Sequence, residues 1–152
     1  MLLQLLLYIK YNTCLKGFIF KYLKYMTSCE MFVNRATNLP TAFSLSKNTY
    51  IQIMQCGSIF KSECVKDNKN PSWESYLRMD IYKNHPLYVV IRHDGYICDT
   101  DIGHGIIDLR EFNSNETAEL CIPLFNTLNN AIYNKGKMVG NLYITVSFFS
   151  FD

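Results

Sequence analysis

Between residues 93 and 104 the chain gathers the side chains best equipped for chemistry: His93, Asp94, Cys98, Asp99, Asp101 and His104. Histidine next to aspartate is the pairing of acid–base catalysis, yet neighbouring residues of a strand point to opposite faces, so His93 and Asp94 are no evidence of a catalytic pair. Cys98 stands five residues after His93 and six before His104, spacings that match no standard zinc pattern. His85 is a third, scattered histidine. No P-loop, nucleophile elbow, His-Glu-x-x-His helix or dinucleotide fingerprint appears, so the chain reads as a non-enzyme. Asp94, Asp99 and Asp101 remain as an acidic loop, which solvent alone accounts for. Asn115, Glu116 and Thr117 form a lone glycosylation sequon, meaningful only in a secreted chain.

The elements that must position this loop read as strands. From Glu30 onward, eight short alternating runs are separated by turn residues: Glu30–Ala36, Thr49–Gln55, Ile59–Val65, Ser75–Ile81, Leu87–Ile91, Gly105–Asp108, Ala118–Leu124 and Asn141–Phe149. Leu77, Met79 and Ile81 fall on one face and Tyr76, Arg78 and Asp80 on the other, as a half-buried strand requires. Leu87, Val89 and Ile91 repeat the pattern, as do Leu142, Ile144, Val146 and Phe148. No run after Glu30 has a capped 3.6-residue apolar period. Eight strands at this spacing predict an all-β, antiparallel sandwich or barrel. Asn126–Gly140 reads as a polar insertion before the last strand.

At 152 residues, 49% apolar and 18% charged, the chain suits one globular domain. Its net charge of +2 is uneven. Lys10, Lys16, Lys21 and Lys24 are the only charged residues before Glu30; setting them aside leaves 11 Lys and Arg against 13 Asp and Glu. No basic stripe remains in the body, which argues against nucleic acid as a partner. The six cysteines contain no CxxC pair and read as small, buried, reduced thiols. Residues 1–26 read as an apolar, basic leader outside the fold, and 27–152 as the domain. Leu2–Ile9 is too short to span a bilayer, lacks the flanks of a secretory signal, and is followed by a Lys-aromatic mixture typical of membrane interfaces. Met26 is an alternative start.

The order and spacing of several motifs across residues 28–152 resemble the C2 domain family. Ala36, Asn38, Leu39 and Pro40 are similar to the end of its first strand, and Asn48–Ile51 to its Ser-Asp-Pro-Tyr-Val element. Ser62–Cys64 stand where a Thr-Lys-Val triplet is usual. Asn70, Pro71, Trp73 and Glu74 match the Asn-Pro-x-Trp-x-Glu region, with Glu74 one position early, and Ile102–Gly103 match the Ile-Gly pair after the third loop. The resemblance implies an eight-stranded antiparallel Greek-key β-sandwich and a cytoplasmic, peripherally membrane-associated module.

C2 domains commonly bind Ca²⁺ between loops at one end, using about five carboxylates because the ion takes six to eight hard oxygens. On that resemblance the candidate metal residues are Asn48, Asp94, Asp99 and Asp101. Phe43 or Ser44 occupies the first acidic position, and Asn48 supplies a carbonyl without charge. In the third loop the Asp-x-Asp pair falls on Arg92 and Asp94 in one register, with Asp99 or Thr100 as the last ligand, and on His93 and Gly95 in the other. Ca²⁺ binding is therefore expected to be weak or lost. Lys61, Lys66 and Lys69 lie in the region of a lipid-binding basic patch, interleaved with Glu63 and Asp67. Phe43 and Tyr96 are candidate loop-tip residues for insertion into a bilayer. The function implied is a peripheral membrane module binding anionic phospholipid; the alternative is a calcium-independent protein-interaction module.

Overall fold

The computed structural model describes residues 26–40, 48–66, 69–113, 115–126 and 136–149. The leader through residue 25, Phe43, Ser44 and Asp67 lie outside them. The described residues form nine strands and no helix: β1 (Met26–Thr37), β2 (Asn48–Gln55), β3 (Ser58–Lys61), β4 (Val65–Lys66), β5 (Ser72–Tyr82), β6 (Leu87–His93), β7 (Thr100–Ile107), β8 (Thr117–Phe125) and β9 (Met138–Phe149). Strands β3 and β4 both pair with β2, followed by β6 and β7; the other layer runs β8, β9, β1, β5. All pairings are antiparallel, and His104 opposite Phe125 is the register pair that joins the two layers at β7 and β8.

Period-two alternation creates the core between them. Cys29, Met31 and Val33 of β1, Ile51 and Ile53 of β2, Met79 and Ile81 of β5, Leu87, Val89 and Ile91 of β6, and Leu142, Ile144, Val146 and Phe148 of β9 are all buried. Each such side chain removed from water contributes about 1.5–3 kcal/mol before entropy is charged against it. Burial also pushes the Cys29 thiol up to about 12. The remaining described cysteines depart from the sequence expectation: Cys56, Cys64, Cys98 and Cys121 are exposed free thiols. Cys56 lies in a turn, Cys64 and Cys98 lie in loops, and Cys121 alternates with inward-facing Ile122 on β8.

Several boundaries also differ from expectation, three of them with a clear physical cause. The third run divides into β3 and β4 around Ser62–Cys64, because Ser62 turns its hydroxyl inward to accept the Ile51 N–H at 3.0 Å, while its own N–H donates to the Ile51 carbonyl at 2.9 Å. A side chain thus substitutes for one rung of the ladder. β7 begins at Thr100 and not Gly105, because a register shift after Ile91 lets Arg92 pair with Asp101 and His93 with Thr100. β9 begins at Met138, inside the expected insertion, since Met138 still pairs with Phe125 and Gly140 with Leu124.

The Asn70–Trp73 motif fastens the layers together. Asn70 Oδ1 accepts the Asn38 N–H at 3.1 Å, and the Lys69 and Pro71 carbonyls accept the Leu39 and Ala36 N–H groups at 3.0 and 2.9 Å. Asn38 has φ 60°, a left-handed conformation that asparagine tolerates. Trp73 is buried, and its indole N–H donates to the Thr49 carbonyl at 3.2 Å, crossing from β5 to β2.

Candidate functional site

Residues 48, 50, 52 and 54 of β2 share the outer face of their layer, by the alternation that sends Thr49, Ile51, Ile53 and Gln55 into the core. Register places Lys66 opposite Asn48, Arg92 opposite Tyr50 and Lys61 opposite Gln52. The β6–β7 ladder then sets Asp101 beside Arg92. Lys61, Arg92 and Asp101 therefore share the sheet face of Tyr50, with Lys66 beside Asn48 on the neighbouring strand, an arrangement invisible without the strand pairing.

Tyr50 is the organising residue. Its ring is buried beneath the Lys61 ammonium, which stands 3.8 Å from the ring centroid, and its hydroxyl donates to Asp99 Oδ2. The tyrosine hydroxyl is the main reason the Asp99 carboxyl lies below its ordinary value; a Gly95 N–H, Lys61 and Arg92 add to it, against some desolvation. Burial first, and then the bond to Asp99, raise the Tyr50 phenol. Arg92 loses charge stability to desolvation but regains more from hydrogen bonds to Tyr50 and Asp101, so its value is raised. Arg92 Nε lies 2.7 Å from Asp101 Oδ1, and His104 Nε2 lies 3.7 Å from Asp101 Oδ2.

The four candidate metal residues thus have separate engagements. Asn48 meets Asp94 through the backbone, its carbonyl accepting the Asp94 N–H at 2.9 Å. The Asp94 carboxylate takes a bond from Cys64 Sγ at 3.7 Å. Asp99 is tied to Tyr50 and Asp101 to Arg92. Among the described residues, no group of three or more His, Cys, Asp or Glu is placed to hold a metal ion. Residues 41–47 contain no acid in their sequence. Ca²⁺ takes six to eight oxygens, and each of the four candidate residues is engaged with a separate partner among the described residues.

Of the two registers left open by the sequence, the inward one holds His93, which is buried and continues the Leu87, Val89, Ile91 face. Arg92 and Asp94 belong to the outward one. Neither His93 ring nitrogen, nor the hydroxyl of Thr49 opposite it, has a hydrogen-bond partner among the described residues. Of the lysines, Lys61 covers Tyr50, Lys66 is exposed on β4, and Lys69 is exposed while its carbonyl supports Leu39. Tyr96 and Ile97 are almost fully exposed at the tip of the β6–β7 loop. The loop folds tightly there: a Cβ at Gly95 would lie 2.0 Å from the Cys98 carbonyl oxygen. Sequence reasoning did not assign Tyr50, His104 or Ile97 to the site, although the alternation of β2 would have put Tyr50 on the site face.

The family model for the C2 domain matches residues 27–124. No curated protein sequence matches the chain. Among solved structures, a C2 domain of plant extended synaptotagmin 1 superposes with a TM-score of 0.69 at 15% identity, covering 83% of this chain and 96% of that one. Human GIVD cytosolic phospholipase A2, in complex with methyl gamma-linolenyl fluorophosphonate, gives 0.65 at 16% identity over 84% of this chain, which corresponds to 18% of the phospholipase. The calcium-bound pair of C2 domains from extended-synaptotagmin 2 gives 0.63 at 17% identity, over 80% of this chain and 45% of that one. With a family match over most of its length and the same sandwich in three dimensions, the chain belongs to the C2 domain family.

Proposed function

We propose that the chain is a peripheral membrane module that binds anionic phospholipid with weak or absent calcium dependence. The observation that carries this reading is the exposure of Tyr96 and Ile97 together at one loop tip, beside a cation-bearing sheet face. Two adjacent large apolar side chains held in water gain free energy by entering the interfacial region of a bilayer. Lys66 and Lys69, with the margin of Lys61, add attraction of about 1 kcal/mol each near an anionic surface, partly offset by Glu63. The same loop is tied down at Asp99 by Tyr50, so its tip is presented without an ion to order it. Family membership favours a membrane or protein partner, and fold alone does not choose between them.

Co-sedimentation of the full chain with vesicles decides the matter. Anionic vesicles should pellet it equally in calcium and in chelator, neutral vesicles should pellet it poorly, and Tyr96→Ser with Ile97→Ser should lose binding by roughly tenfold or more. Failure to pellet in every condition sinks the membrane reading and leaves the calcium-independent protein-interaction module. Pelleting that requires calcium would overturn the calcium-independent part.

A further inference from the structure

Strand β5 ends its layer, pairing with β1 on one side and with no strand on the other among the described residues. At 11 residues it is a long edge, whereas β3, at the opposite end of the strand order, has four. Long open edges invite another strand. The direction of the free backbone groups follows from Tyr82, whose N–H donates to Gln55 Oε1 at 2.8 Å and whose carbonyl accepts from Gln55 Nε2 at 2.9 Å. Gln55 belongs to β2, not β1, so the Tyr82 backbone faces the open side. Alternate residues of a strand face alike, so the N–H and C=O groups of Asp80, Arg78 and Tyr76 face that side too. The close 4.6 Å approach of the Phe32 and Tyr76 rings, directly opposite across β1 and β5, agrees with a pair whose backbone groups point away from each other.

The sequence along this edge is nearly its own mirror about Met79: Tyr76 balances Tyr82, Leu77 balances Ile81, and Arg78 balances Asp80. We propose that β5 is a docking edge for a second copy of this chain, paired antiparallel about a two-fold axis at Met79. In that register Arg78 faces Asp80 of the second copy and Asp80 faces its Arg78. The same pairs exchange backbone hydrogen bonds, and Tyr76 faces the other copy's Tyr82 at both ends. An isologous interface requires such self-complementarity, and a charge reversal within the palindrome supplies it. The two charges are available. Arg78 has no carboxylate partner among the described residues, and Asp80 uses Oδ1 to accept from Ser28 Oγ at 2.8 Å, leaving Oδ2. Tyr76 packs on Phe32 with one face and leaves 79% of its surface exposed for a partner. Other registers are worse: one centred on Arg78 would oppose the two guanidinium groups. The Gln55 cap at Tyr82 and the left-handed Glu74, φ 48°, set the limits of the straight segment.

Sedimentation velocity of the full chain over a concentration series tests this. The wild type should show a concentration-dependent dimer. Arg78→Asp and Asp80→Arg, each placing like charges opposite one another twice, should weaken it by roughly tenfold or more. An equimolar mixture of those two variants should associate again, since each then presents the charge the other lacks. The double variant Arg78→Asp with Asp80→Arg should also dimerise, which keeps the test decisive if Asp80→Arg alone folds poorly after losing Ser28. A monomeric wild type at every concentration overturns the proposal, as does a dimer that survives both single changes or variants that stay apart when mixed.

Discussion

Tyr50 is where the loop end of this protein departs from a simple ion site. Its ring supports Lys61 and its hydroxyl holds Asp99, so one side chain satisfies a cation and an anion that would otherwise face solvent. Tyr50→Phe keeps the ring and removes only the hydroxyl. The Asp99 carboxyl, now held below its ordinary value chiefly by that hydroxyl, should titrate nearer the ordinary carboxylate range in the variant. The sign follows directly. A carboxyl depressed in the folded state contributes stability that is present above the unfolded value and is lost as pH falls through the folded one. The wild-type tether therefore persists at neutral pH and releases only in acid, and the phenylalanine variant lacks that acid-linked contribution. Carboxyl-carbon NMR titration reads the midpoint, and an unchanged value would discard the role given to the hydroxyl.

At the scale of elements, hairpin β2–β3 turns through Cys56 and Gly57, both at positive φ, 46° and 85°. Two-residue hairpin loops favour this geometry because its twist matches the strands, and they favour Asn-Gly within it. Cysteine has no local hydrogen bond to repay the left-handed conformation, so Cys56→Asn should raise stability by roughly 0.5–1 kcal/mol. Urea unfolding with an unaltered slope measures that gain, and a loss would contradict the turn assignment. Gly57 was legible as a stop for its strand, as were the alternating faces of β5, β6 and β9, because period-two burial is written locally. The split of β3 from β4 and the early start of β7 were not. Both depend on a partner strand: Ser62 leaves the ladder to reach Ile51, and Thr100 joins one because His93 stands opposite. For the same reason Asp94, Asp99 and Asp101 were legible as a cluster of acids, while their partners Cys64, Tyr50 and Arg92, all but the last remote in sequence, were not.

At the scale of the whole molecule, the exposed loop tip and the open edge occupy different parts of the sandwich, and their combination has a geometric consequence. Antiparallel pairing of two β5 strands reverses the strand direction between copies, so each copy points its Tyr96–Ile97 tip to the opposite end of the dimer. A dimer built this way cannot lay both tips on one flat bilayer. It presents them to two surfaces, provided both the membrane reading and the edge pairing hold. Anionic vesicles mixed with the wild type should therefore cluster, seen as a rise in light scattering. Arg78→Asp, which leaves the loop tip intact, should still co-sediment with vesicles but cluster them far less, and addition of Asp80→Arg should restore clustering. Vesicle binding without clustering by a dimeric wild type would refute the opposed arrangement of the tips. Loss of vesicle binding in Arg78→Asp would instead place this arginine on the membrane-facing surface.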